Sequence, residues 1–142
     1  MSGLPSAVLF ACTMNSVRSP MAEGILKHLH GGKIYVDSAG VRQGEIDGFA
    51  ISVMKEIGVD LSAHRSKTFD DLEDAFFDIV ISLSPEAQHK AVDMTRVMAC
   101  DVELWNTFDP SIIEGDRDAM LDAYRKVRDE LTSRIKAFFI EK

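Results

Sequence analysis

A chain of 142 residues that is 46% hydrophobic and 27% charged has the make-up of a globular protein, long enough to form a single domain over residues 1–142 with its own core. Its formal net charge of -7 sets it apart from nucleic-acid binders, which carry a basic face, and leaves any anionic substrate to be captured by local groups. No run of 18 apolar residues is available to span a membrane, Met1-Ser2-Gly3-Leu4-Pro5 lacks the basic start of a signal peptide, and two cysteines make no disulfide framework, so the expected setting is a reduced cytoplasm.

Ala7–Ala11 is a continuous apolar run, the pattern of a strand buried on both faces of a parallel sheet. The loop Cys12-Thr13-Met14-Asn15-Ser16-Val17-Arg18-Ser19 follows, and Pro20 with Met21-Ala22-Glu23 opens a helix expected over residues 21–30. A strand that turns directly into a helix aims backbone N–H groups and the positive end of the helix dipole at one point, which suits an oxyanion. Cys12 stands at the floor of that cradle, where the same field favours the thiolate, and Arg18 closes the ring with a planar fork for two anion oxygens. A Cys and an Arg six apart carry little information alone; their place between strand and helix gives the spacing its meaning. Cys12 is therefore the expected nucleophile, Arg18 the oxyanion clamp, and Thr13, Met14, Asn15, Ser16, Val17 and Ser19 the residues expected around a phosphate-like group.

Ile34–Asp37 reads as a second strand, Val41–Asp47 as a loop, and Phe49–Ile57 as a helix ended by Gly58. Phe69–Phe77 reads as a short helical segment and Asp78–Leu83 as a third strand, with Ser84 capping the helix opened by Pro85-Glu86. Arg96–Ala99 is the expected fourth strand, followed by a buried Cys100. Asp116–Ile140 forms a long helix with Met120, Leu121, Tyr124, Val127, Leu131, Ile135 and Phe138 on its inner face. The alternation predicts an α/β fold: a doubly wound, four-stranded parallel sheet with helices on both faces and a site at the carboxyl ends of the strands. Cys12, Ser38 and Ser82–Ser84 fall at that edge.

The loop, with Asp37-Ser38-Ala39-Gly40, Val53–Asp60, His64-Arg65-Ser66 and Asp109-Pro110, resembles the low-molecular-weight protein tyrosine phosphatases and the arsenate reductases that share their phosphotyrosine phosphatase I-like fold. The resemblance implies a phospho-Cys12 intermediate, a Ser19 hydroxyl that bonds the sulfur, an Asn15 that holds the loop, and Ser38 as its supporting partner. It makes Asp109 the acid that protonates the departing oxygen, with Pro110 keeping Asp109 extended and away from helix-type local bonds. Trp105 and Phe108 are expected to pack and fix that loop, and His64-Arg65 fits either the family segment or a surface turn. No metal site and no cofactor are expected, since His28, His30 and His89 show no ligand spacing.

Three departures bear on the activity. Val17 stands where the phosphatases often carry a second cysteine, and the loops at 41–46 and 111–114 lack the aromatic residues that stack on a phenyl ring. Leu83–Gln88 lacks the two cysteines of the thioredoxin-coupled reductases, so a reductase of this type would need an external thiol donor. The sequence reading ranks a phosphate-monoester phosphatase first, an arsenate reductase with an external thiol second, and an inactive oxyanion-binding module third.

Overall fold

In the computed structural model, which describes residues 3–72 and 76–140, the chain forms β1 (Ala7–Cys12), α1 (Arg18–His30), β2 (Tyr35–Gly40), α2 (Gly48–Lys55), β3 (Ile79–Ser82), α3 (Pro85–Met94), β4 (Asp101–Leu104) and α4 (Arg117–Phe138). The strands lie in the order β2-β1-β3-β4, and every pair is parallel, as expected from buried-type strands alternating with helices.

Side-chain alternation sorts β1 between two cores. Val8, Phe10 and Cys12 face one layer with Met21, Leu26, Val53, Met54, Tyr124, Leu131 and Ile135, so α1, α2 and α4 cover that face. Leu9 and Ala11 face the other layer with Val80, Ala87 and Ala91, so α3 covers it. Register then carries Ser38 to the site: it pairs with Phe10, two pairs before Cys12–Gly40, and so lies on the same face of the sheet as the cysteine.

Several boundaries differ from expectation. α1 begins at Arg18, not beyond Pro20, because the helix takes over as soon as the loop has turned. β2 runs on through Ser38 to Gly40. Between Phe69 and Phe77 only Phe69–Asp71 makes a short 3₁₀ turn, capped by Thr68, and residues 76 and 77 are not helical; residues 73–75 lie outside the described part.

The fourth strand is Asp101–Leu104, not Arg96–Ala99. The amides of Arg96, Val97 and Met98 turn back to the carbonyls of Asp93 and Met94, winding up the end of α3, and Val97 is left open to solvent. Cys100 therefore precedes β4; it is half-buried against the α3 layer, and burial, then the neighbouring Asp101 charge, push its thiol pKa up.

α2 is capped by Asp47, which accepts from the amides of Phe49 and Ala50. It ends with paired bonds from Gly58 to Lys55 and from Val59 to Met54, a closing turn that Gly58 permits at φ 80. On α4, Leu121, Tyr124, Val127, Leu131 and Ile135 are buried as expected, Met120 is half-buried and Phe138 is exposed. Arg128 is drawn into that helix's inner face by the Val53 carbonyl and by Glu56, whose carboxyl is held down at about 2 mainly by hydrogen bonds from Arg125 and Arg128.

Leu131 is fully buried between α4 and the sheet. Leu131→Ala is expected to cost about 2–5 kcal/mol, read as a lower urea midpoint at unchanged m-value.

Candidate active site

The turn from β1 into α1 is shaped by where its carbonyls go. The Cys12, Thr13, Met14 and Ser16 carbonyls accept from the amides of Val41, Arg42, Gly44 and Asp47, in the loop that follows β2. The Asn15 carbonyl accepts from the Ser66 hydroxyl at 2.6 Å, and the Val17 carbonyl from the amide of Met21 at 3.1 Å. Every carbonyl from Cys12 to Val17 is thus taken up on the outside of the turn. The amides of Met14 through Val17 donate in none of the described bonds, and an inward set of free N–H groups is an anion-binding concavity.

Asn15 makes the reversal at φ 53, the one non-glycine residue at positive φ among those described. Gly40 lies against its back: a Cβ there would stand 2.7 Å from the Asn15 nitrogen and 2.8 Å from the Met14 carbonyl carbon. Both are backbone atoms, so a side chain at position 40 would force the loop out of shape.

Beneath the loop lies a buried hydrogen-bond chain. Cys12 Sγ is 2.9 Å from Ser19 Oγ, and Asn15 Nδ2 donates to Ser19 Oγ at 2.8 Å and to Ser38 Oγ at 2.9 Å. Ser38 in turn donates to Glu23 Oε1. Because Ser19 accepts from Asn15, its own O–H is free to point at the sulfur, the direction a thiolate needs. Asn15 Oδ1 accepts from the amide of Lys67 at 3.0 Å and faces His64 Nε2 at 3.1 Å. An amide oxygen cannot donate, so His64 carries its proton on Nε2. Its Nδ1 lies 3.9 Å from Glu23, which is also paired with Lys27. Burial pushes the His64 pKa below its ordinary value and outweighs the pull of Glu23, so the ring is held toward its neutral form.

Cys12, Thr13, Met14, Ser16, Val17, Arg18, Asp109 and Ser111 line a cleft of about 130 Å³. Pockets for drug-sized ligands run to several hundred Å³, so this one suits a small tetrahedral oxyanion. A cleft of about 490 Å³ beside His64 and Lys27 is larger, but no nucleophile opens into it. Asn15 and Ser19, expected among the substrate contacts, lie outside this lining; they are wholly buried and act on the loop and the sulfur. Ser82 and Ser84 also stand back from it, Ser84 accepting a bond from the Thr13 hydroxyl.

Arg18 is anchored by Nη1 on the Thr107 carbonyl at 3.1 Å, and Thr107 is itself fixed by its amide on Leu83. Asp109 is extended, at φ -88 and ψ 105, as its proline requires. Its carboxylate nevertheless makes local bonds: Oδ1 caps the short turn Pro110–Ile112 by accepting from the Ser111 amide and hydroxyl at 3.0 and 2.7 Å. Its other oxygen, Oδ2, lies 4.0 Å from Arg18 Nη2. Trp105 packs as expected against Phe10 and Phe138, whereas Phe108, expected to pack, is half exposed.

Sequence reasoning missed Glu23, Lys67 and Thr107, left His64 open, and singled out Ser66 only within the family segment His64-Arg65-Ser66, without a role. Glu23 had a signal, since it follows Ser19 by one helical turn on the same face of α1. Lys67 and Thr107 arrive from distant segments and had none. Among the described residues no group of three His, Cys, Asp or Glu side chains is placed to hold a metal.

The model of the family described as low molecular weight phosphotyrosine protein phosphatase matches residues 7–142. The arsenate reductase of Halalkalibacterium halodurans is 36% identical over 133 residues, covering 92% of this chain and 93% of that protein. The glutaredoxin arsenate reductase of Synechocystis sp. is 33% identical, covering 91% and 92%. Among solved structures, an arsenate reductase in its oxidized state matches with a TM-score of 0.77 at 31% identity, over 94% of this chain and 96% of that one. A low molecular weight protein tyrosine phosphatase from T. tengcongensis matches with a TM-score of 0.75 at 30% identity, over 92% and 95%.

Two outcomes test this geometry. Gly40→Ala is expected to keep the fold, by circular dichroism, while weakening vanadate binding at least about tenfold, since a displacement near 1 Å is enough to lose that much. Because His64 binds a proton less readily folded than unfolded, the unfolded chain holds more protons below pH 6.5, and stability should rise with pH up to that value and then level off. His64→Gln should remove that rise in unfolding midpoints measured from pH 5 to 7.5.

Proposed function

Since the chain belongs to the low molecular weight phosphotyrosine protein phosphatase family, we propose that within it this protein is an arsenate reductase that draws its electrons from an external thiol. This reverses the order of the sequence reading, which put phosphate-ester hydrolysis first. The observation that carries it is the small cleft, whose lining holds a cysteine, an arginine, hydroxyls and a carboxylate but no aromatic ring. Such a cleft fits a free oxyanion better than an aryl ester. Relatives named arsenate reductase, 36% and 35% identical along nearly their whole length, support the same reading.

The chemistry follows from the groups in the cleft. The Cys12 thiolate attacks arsenic, an As–S bond forms, and one arsenate oxygen leaves as water with a proton from Asp109. Arg18 and the inward amides hold the remaining oxygens and take up their charge. A donor thiol then attacks the Cys12 sulfur: the S–S bond forms, and arsenic departs with the electron pair of the As–S bond, passing from the +5 to the +3 state. A second donor thiol releases the symmetric disulfide and restores Cys12. Two thiols supply the two electrons, and the balance closes.

Both steps need a thiol other than Cys100. Strand register sets Cys100 level with Ala7, five residues short of Cys12 and two strands away. The separation along the strand alone is about 16 Å, far beyond the roughly 4–7 Å between Cα atoms of a disulfide.

Phosphate-monoester hydrolysis stays as the second reading because Asp109 lines the cleft with Cys12 and Arg18, where a leaving-group acid would stand. The two are separated by measuring arsenite formed from arsenate with glutathione, with and without glutaredoxin, and with mycothiol, beside hydrolysis of a generic aryl phosphate. Arsenite formation that disappears in Cys12→Ser is the expected result; aryl phosphate turnover without arsenite from any donor would hand the site to the phosphatase reading. Asp109→Asn should slow the chemical step about 10²-fold and leave vanadate binding nearly intact.

A further inference from the structure

The donor thiol has to reach Cys12 through the same mouth as the oxyanion, and one feature on the rim of that mouth is unused by the site as described. Arg42 follows β2, and its amide donates to the carbonyl of Thr13, a cleft-lining residue, at 2.9 Å. Its guanidinium takes both carboxylate oxygens of Glu86 in a fork, Nη1 to Oε2 at 2.7 Å and Nη2 to Oε1 at 3.1 Å. Glu86 sits in the first turn of α3, whose positive end favours a carboxylate. The rim therefore already holds one carboxylate, by a planar fork and a helix start.

Both side chains remain open to water, 56% and 46% exposed. An ion pair that open adds little to the fold, and an incoming anion can compete with it. Arg18, the other guanidinium at the mouth, is tied to Thr107 and faces the oxyanion. With a net charge of -7 on the chain, an anionic co-substrate would find little help from the overall field.

We infer that Arg42 and the start of α3 form a carboxylate subsite at the cleft rim, that Glu86 is its resting occupant, and that its ligand is the carboxylate of a small carboxylate-bearing thiol serving as electron donor. The inference rests on the reductase reading. Donor binding exchanges one carboxylate for another on Arg42, and the covalent steps are those already written, with this thiol as the donor.

Two variants give opposite results under this inference and the same result if the pair is only a structural tie. With glutathione as donor, Arg42→Gln should lower kcat/KM for the thiol about fivefold, the size of one exposed charge pair, and Glu86→Gln should raise it. With 2-mercaptoethanol, which has no carboxylate, both variants should stay within about twofold of wild type, and the KM for arsenate should not move. Losses in both variants, or equal changes with both thiols, overturn the subsite.

Should wild type form no arsenite with either thiol, the reductase reading fails on its own, and the subsite is read from disulfide exchange at Cys12. Mass spectrometry would then follow modification of Cys12 by glutathione disulfide and by 2-hydroxyethyl disulfide. Slowing of the first alone in Arg42→Gln supports the subsite; equal rates with both variants overturn it.

Discussion

The whole arrangement depends on where the carbonyls of one short turn are sent. Within one trans peptide unit the carbonyl and the next residue's amide point in opposed directions, so tying the oxygens of Cys12 to Val17 outward turns the amides that follow them inward. The outward partners come mostly from the loop after β2, and one hydroxyl comes from Ser66. The anion cradle is thus a product of three chain segments, and a helix N-terminus alone would not have held it. Gly40 is part of the same constraint, since only a residue without Cβ lets β2 end so close to the turn.

Below that turn the protein buries a polar chain instead of apolar packing. Isolated buried polar groups are costly, and a chain in which each member is satisfied is rigid. Asn15 is the hub: its amide hydrogens go to Ser19 and Ser38, and its oxygen serves Lys67 and His64. That geometry fixes the amide orientation and the tautomer of His64, and it turns the Ser19 hydroxyl toward the Cys12 sulfur. The cost of ordering so many small groups is offset by the certainty with which the sulfur is placed. Glu23, from α1, ends the chain and binds it to the helix that carries Arg18.

Redox reach follows from strand register. The two cysteines lie toward opposite ends of the parallel strands, Cys12 at the close of β1 and Cys100 just before β4, and no side-chain rearrangement closes a gap set by strand length. Electrons for any reduction at Cys12 therefore have to be carried in by another molecule, through a mouth whose rim presents an exposed pair of guanidinium and carboxylate. Arg42 and Glu86 meet from the loop after β2 and the start of α3, open to water, which is why they can differ in role from the groups beneath.

The amino-acid sequence by itself determined the elements and the chemistry of the turn. The apolar run at Ala7–Ala11, the small and polar residues between Cys12 and Arg18, and the switch to helical spacing are local patterns, and local patterns fix strand, loop and helix start. They also placed Cys12 and Arg18 together, because so short a loop admits few shapes. The fourth strand falls at Asp101–Leu104 and not at Arg96–Ala99 because the amides of Arg96, Val97 and Met98 are claimed by the end of α3, and no residue pattern records that competition. Tertiary structure alone decided what reaches the site from afar: His64 and Lys67 onto Asn15, Thr107 onto Arg18, Glu86 onto Arg42. Those partners are 49 or more positions apart in three of the cases and 44 in the fourth, and only folding the sheet brings them within a hydrogen bond.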